Sequence, residues 1–545
     1  MVVSILQRQP VVWGIGLLVT IILIPIIAIP FPPLLDYPNH LARLWLIAGG
    51  VDVAPLNRFY VEDWHGMATN IGIDVAAKLF GGIIPPFVLG TIMLAVAALL
   101  PPLGAVALNK AEFGGYHPWQ LIFFFFWCPL TLLAGFLNFQ IGLGAALFAA
   151  AADRGLRARG GYWLHAWRLI FGVGLTVIHP FALLFYCTLL AGLGFGPDFP
   201  RASVGDWGRK ILHAEMAALI CLVPLVLFFL WAHALPGGSD GSPPRPMIFS
   251  DLAARSRAML SPFIAYNFIV DGAFILSFFG FVLFCAVRRK ISCHAGLLIA
   301  AAAMMSLAPF MPTMTNESGW VNRRLPIMAV LAALAATRFN LGQSRRDALA
   351  LGLGAVVFVV LRTADVGWNW SASFFMIDSL RSVLAEVPPG AMILPMRHEP
   401  PDELKFNIQQ GRSFGWIDTT YIHYPALAIP WRHAFIPTLF GETGKQPVRF
   451  RAPYDQISDP RGGWLISVHA LSHPELLPTA AQFNYIKQWR TQFDYVLVLN
   501  ADEPDLYGSF DPPPGLRLVK DGGFAQLFRI QRNQSFRNAP VELRP

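Results

Sequence analysis

Charged side chains are scarce in this sequence. Asp, Glu, Lys and Arg make up 14% of the 545 residues, while apolar residues make up 55%. Soluble domains carry about a quarter charged residues, so an ordinary soluble fold is excluded and a polytopic membrane protein is expected. The net charge of +8 does not point to nucleic acid, because of where it lies. Residues 1–363 hold 24 basic against 15 acidic side chains, and residues 364–545 hold 17 against 18. The excess belongs to loops between apolar segments, where Lys and Arg set orientation.

Cysteine is scarce as well. Cys128, Cys187, Cys221, Cys285 and Cys293 lie in or beside apolar segments and none follows residue 363, so no disulfide framework or cysteine-based metal site supports the tail. There is no Gly-x-x-x-x-Gly-Lys-Ser/Thr loop and no His-Glu-x-x-His, which argues against a nucleotide-driven pump and a zincin. The tail has no Gly-x-Gly-x-x-Gly run. Gly-x-Ser-x-Gly occurs around Ser239 and Ser413, but neither serine follows the apolar strand that a nucleophile elbow requires.

What is present is a series of apolar runs, near 11–30, 83–107, 119–136, 138–152, 163–178, 180–195, 211–233, 263–287, 294–311, 325–337 and 347–363. The 163–195 region reads as one long helix or two. With two, and with Arg8 inside, the basic clusters Arg154/Arg157/Arg159, Arg288-Arg289-Lys290 and Arg338/Arg345/Arg346 all fall on the cytoplasmic side, so about eleven spans fit the positive-inside rule best. The first run lacks an Ala-x-Ala-like cleavage site and is read as a retained anchor. Residues 1–363 are then a transmembrane domain whose first outer loop is 31–82. Residues 364–545, with strand-like runs Ala391–Met396, Trp464–Val468, Tyr495–Asn500 and Ala525–Ile530, form an extracytoplasmic α/β domain. In a bacterium this is an inner-membrane protein with a periplasmic tail.

Polar residues gather on the outer side. The run Asp36-Tyr37-Pro38-Asn39-His40-Leu41-Ala42-Arg43 follows the first apolar segment. Pro38 suits a helix start, and the spacing predicts a surface helix over 38–49 with Asn39, His40 and Arg43 on one stripe and Leu41, Leu44, Trp45 and Ala48 opposite. A second amphipathic helix is expected over 66–80. Glu62, Asp63, His65, Asn138, Gln140, His179, Glu317, Asn322, Arg323 and Arg324 also fall at outer turns or span edges. Ionisable groups at membrane depth are costly and are functional candidates by default. Each also has a structural reading: Asp36 and Asn138 can cap helices, Arg43 and Arg58 can meet lipid phosphates, His179 can satisfy a broken helix end, Arg323-Arg324 can snorkel, and Glu62-Asp63 can be a solvated loop pair.

This pattern resembles the GT-C superfamily of membrane glycosyltransferases, which use lipid-phosphate-linked sugars. The matching features are Asp36 directly after the first span, a long first outer loop with two amphipathic helices, about eleven spans and a C-terminal extracytoplasmic domain. Many members carry an acidic pair in the first loop; here Asp36 is followed by Tyr37 and the pair is Glu62-Asp63. The resemblance implies a polyprenyl-phosphate sugar as donor, a saccharide or lipid as acceptor, and Asp36 as general base with Glu62 or Asp63 in reserve. It implies that Arg323 and Arg324, with His40, Arg43 or His179, bind the phosphate, and places Asn39 and Asn138 among the substrate-binding candidates. A divalent cation can bridge carboxylate and phosphate, but the acidic spacing does not demand one. Trp431, Tyr421 and Tyr424 are candidates for stacking on sugars. The competing readings are a flippase for a lipid-linked saccharide, which the broken helices around Asn138 and His179 fit as well and for which Asp271 and Glu215 are the few internal polar residues, and a non-catalytic envelope-assembly protein.

Overall fold

The computed structural model describes residues 2–67, 69–157, 161–198, 204–234, 247–315, 318–340, 345–401, 411–415, 418–478 and 483–532. It is predominantly helical, with small sheets toward the C-terminus. The chain divides into two compact units: Met1–Pro30, Gly66–Ile73 and Thr91–Trp368, and Phe31–His65, Asp74–Gly90 and Asn369–Pro545. The expected boundary at 363/364 lies inside the helix Arg345–Ser371, and two parts of the expected first loop are grouped with the C-terminal segment.

Among the described residues, four helices are long and apolar enough to cross a membrane: Pro10–Ala28, Pro86–Phe113, Phe268–Val287 and Leu349–Leu384. A fifth is added if Asp206–Leu219 and Cys221–Leu227, bent by 43°, count as one. Pro224 explains that bend, since its ring displaces the carbonyl four residues earlier. Of the other expected spans, Pro118–Leu133, Tyr162–Ile178, Pro180–Phe195 and Ala295–Phe310 are shorter apolar helices, while 138–152 falls in the helix Leu137–Arg157 and 325–337 in Val321–Ala335. The count of eleven is not reached by this measure. Tyr162–Ile178 and Pro180–Phe195 are two helices, broken at His179. The run at 119–136 is not a regular α-helix: Pro118–Trp127 is 3₁₀ and Leu130–Leu133 a single α turn. Pro129 disfavours helical geometry at Cys128 and enforces the break.

Small residues allow close helix crossings in the first unit. A Cβ built at Gly296 would lie 2.1 Å from Gly192 O, so Pro180–Phe195 and Ala295–Leu307 touch backbone to backbone there. Such crossings are a usual means of helix association in lipid.

In the second unit a four-stranded sheet has the order Leu516–Asp521, Ala525–Ile530, Tyr495–Leu499, Ile393–Arg397. The last pair is parallel and the others antiparallel. Tyr495–Leu499 is buried throughout, as a central strand should be. Expected strand Trp464–Val468 is absent as such: Ser467 makes one bridge to Arg397, then its hydroxyl accepts from His469 N–H and starts a 3₁₀ turn. Residues Tyr60–Glu62 pair antiparallel with Val448–Phe450, and Tyr60 Oη bonds both Ile436 N (3.0 Å) and Ile436 O (3.2 Å).

Helix α1 (Val2–Ala28) is followed by Pro30, Pro32 and Pro33, and the chain re-enters a helix at α2 (Tyr37–Ile47). Helix α3 is Gly72–Phe80, shorter than expected because Gly66 and Asn70 have φ of +72° and +61°, which a right-handed helix cannot accommodate. The outward polar stripe expected on α2 is also corrected: Asn39 is 0% and Arg43 2% exposed. Arg43 forms a forked pair with Asp74 of α3, Nε–Oδ1 2.6 Å and Nη2–Oδ2 3.1 Å. Burial pushes the Asp74 carboxyl up from its ordinary value, and Arg43 opposes that rise.

Removing one member of a buried pair strands the other charge. Asp74→Ala is expected to destabilise the protein by about 3–5 kcal/mol, whereas Arg43→Met with Asp74→Leu should recover to within about 1–2 kcal/mol of the parent. Denaturant unfolding of the detergent-solubilised protein measures both.

Candidate active site

Asp36 stands at the N-cap of α2, yet its carboxylate makes no capping bond to the helix. Instead Asp36 Oδ1 lies 3.5 Å from His423 Nε2, with the side chains 18% and 6% exposed. The ring of His423 packs on Phe440 at 4.9 Å between centroids, and Phe440 is also 5.9 Å from the ring of His40. Asn39 holds this corner together. Its Oδ1 accepts from Phe440 N at 2.9 Å, while its Nδ2 donates to Thr438 O at 3.1 Å and lies 3.4 Å from His423 Nδ1. Asn39 is therefore bound to protein, not exposed to a ligand.

The other first-loop acids face cations. Glu62 lies 2.8 Å from Lys78 Nζ and Asp63 3.1 Å from Arg449 Nη1; Asp63 also accepts from His65 N at 2.8 Å. Arg43 is committed to Asp74, so its fork is filled. Among the described residues, Asp36 is the member of the expected acidic set whose carboxylate faces an imidazole and no Lys or Arg.

The remaining candidates belong to the first unit. Asn138 fastens the segment before α3: its Oδ1 accepts from Ile73 N at 2.8 Å and its Nδ2 donates to Asn70 O at 2.7 Å. His179 ends one helix and caps the next, accepting from Phe181 N at its Nδ1 (3.1 Å). Arg324 Nη1 lies 2.7 Å from His179 Nε2. Arg324 is 5% exposed, and its guanidinium lies over the rings of Phe136 (4.4 Å), Phe181 (5.3 Å) and Phe139 (5.4 Å). Arg323 stacks on Trp320 at 4.0 Å. His179 thus has a donor at each ring nitrogen, although a neutral imidazole accepts at only one. Glu317 and Ser239 lie outside the described residues, as does the side chain of Glu215.

Tyr421 and Tyr424, expected as possible sugar platforms, are core residues at 1% and 0% exposure. Burial pushes the Tyr421 hydroxyl up to about 12. Trp431 packs against Phe31 and under Arg381. Among the described residues no group of three or more His, Cys, Asp or Glu is placed to hold a metal ion. His423, Thr438 and Asp74 were not singled out by the sequence. Asp74 left a trace, an acid beside apolar Ile73 and Val75 in an amphipathic stretch; His423 left none. No protein-family model matches this chain, and no curated protein matches it.

Asn138→Leu removes the partners of Ile73 N and Asn70 O in a buried setting. We expect a loss of about 1–3 kcal/mol, read as a lower unfolding temperature together with faster proteolysis within residues 66–73.

Proposed function

We propose that the protein is a membrane glycosyltransferase that moves a sugar from a polyprenyl-phosphate donor to an extracytoplasmic saccharide, lipid or protein acceptor. In this reading the chain has a GT-C-like arrangement of about eleven spans, with residues 364–545 on the outer, periplasmic face of a bacterial inner membrane. The apolar helices and the basic loops between them support the membrane setting. The observation that carries the reaction is Asp36, a carboxylate beside His423 instead of a cation.

Sugar transfer needs a base for the acceptor hydroxyl and cations for the departing phosphate. The acceptor oxygen attacks the anomeric carbon, and Asp36 takes its proton. The bond between that carbon and the phosphate oxygen breaks, and its electron pair leaves on polyprenyl phosphate. Arg324 donates from Nη2 to Gly319 O and lies with Nη1 against His179 Nε2; in this reading a phosphate oxygen takes over from such a partner, as a guanidinium is suited to phosphate. A phosphate would also relieve the opposed donors at His179, since Nε2–H can donate to it while Nδ1 keeps Phe181 N–H. Arg323 supplies a second positive charge. Glu62 and Asp63 serve as paired structural acids.

One of the features that favour the flippase reading is the ion pair of Asp271 and Arg362 within apolar helices. Its polar groups are bound to protein: Asp271 Oδ2 accepts from Ala265 N at 2.9 Å and Arg362 Nη2 donates to Cys128 O at 3.1 Å. That arrangement is a staple between segments.

Purified protein given a polyprenyl-phosphate sugar and a hydroxyl acceptor should transfer the sugar. Asp36→Asn should lower kcat by about 10²–10⁴-fold, the range of general-base catalysis. Glu62→Gln and Asp63→Asn should keep most of the activity. Full activity in Asp36→Asn refutes the assignment of the base.

A further inference from the structure

The neighbours of Asp36 fix a proton position. Phe440 N–H donates to Asn39 Oδ1, so the carboxamide NH₂ must point the other way. There it meets Thr438 O and His423 Nδ1, one acceptor for each of its two hydrogens. His423 Nδ1 is therefore an acceptor. A neutral imidazole that accepts at Nδ1 carries its proton on Nε2, and Nε2 is the nitrogen facing Asp36.

We propose that His423 is a positioning residue for Asp36. Its Nε2–H, oriented by Asn39, holds one carboxylate oxygen and leaves the other for the acceptor hydroxyl. The inference rests on the reading of Asp36 as base and deepens it. His423 is not a proton relay in this arrangement: Nε2 already bears a proton and Nδ1 is covered by an N–H. The proton removed from the acceptor stays on Asp36 until solvent takes it. The separation of 3.5 Å is longer than a hydrogen bond, as catalytic contacts in free enzymes often are before substrate closes them.

Of the charged groups on α2 and the elements packed against it, two have carboxylate partners and one a carbonyl, and Asp52 lies on the turn Gly50–Asp52. Arg43 pairs with Asp74 and Arg449 with Asp63, while Arg432 donates to Val387 O. His40 has its ring against Phe440. Among the described residues, the ionisable group placed within 4 Å of the Asp36 carboxylate is His423. No local sequence pattern links the two, since 387 positions separate them.

Two substitutions separate positioning from packing. Asn at 423 imitates the Nδ1 edge of His and keeps the contact to Asn39, but does not reach Asp36. Gln at 423 reaches the Nε2 position with an amide N–H. His423→Asn should lower kcat for sugar transfer by about 10²-fold, the cost of a misplaced group, with the donor KM nearly unchanged, and His423→Gln should restore most of it. Separately, full-length protein labelled with ¹⁵N-histidine reports the tautomer without any turnover; the signal missing from His423→Gln identifies residue 423. The expected signal is that of a neutral Nε2–H ring, with Asn39→Leu giving a mixture of tautomers. An Nδ1–H ring, or an unchanged kcat in His423→Asn, overturns the proposal. An Nε2–H ring in a protein whose Asp36→Asn variant is fully active overturns the base reading instead and leaves the hydrogen-bond assignment standing.

Discussion

The buried amide of Asn39 joins the start of α2 to the segment from His423 to Phe440. It uses its oxygen on Phe440 N–H and its nitrogen on Thr438 O and His423 Nδ1, and nothing of the residue is exposed. An amide buried this way is costly if any partner is lost, so the geometry of the corner is strongly specified. Asp36 inherits that definition. It lies three residues before Asn39, at the helix start, and faces the same imidazole.

Around this corner the unit is braced by pairs drawn from distant stretches of chain. Arg43 and Asp74 lock α2 to α3, Tyr60–Glu62 adds a short ladder to Val448–Phe450, and Tyr60 Oη clips both backbone groups of Ile436. In the first unit the corresponding feature is Arg324, whose charge lies among three phenyl rings with His179 at hydrogen-bond distance. Guanidinium groups tolerate such surroundings because their faces stack on aromatic rings while their edges still donate.

Much of the helical layout was legible from apolar periodicity and proline placement. The start of α2 beside Pro38 follows from a local rule, while the division of 163–195 into two helices follows from the side on which it places the basic loops. What periodicity could not show was what covers the polar stripe of α2. The spacing alone puts Asn39 and Arg43 on an outward stripe, yet their partners lie near residue 74 and in the tail around residues 423–440. Local spacing carries no information about such remote partners. The same limit explains Glu62 and Asp63, whose cations Lys78 and Arg449 come from elsewhere in the chain. In the sheet, Leu516–Asp521 carries little apolar signal because it is an edge strand with mostly exposed residues, and Trp464–Val468 has strand-like composition but makes a single bridge.

The proposed glycosyl transfer breaks the bond between a sugar's anomeric carbon and a lipid-linked phosphate. A polyprenyl-phosphate sugar carrying ¹⁸O in the bridging oxygen tests it most directly. Mass spectrometry of the products from the purified protein should find the label retained in the released polyprenyl phosphate and absent from the glycosylated acceptor. Label appearing in the sugar product would mean cleavage on the phosphorus side, and recovery of intact donor moved across a vesicle membrane would mean transport; either result contradicts the account.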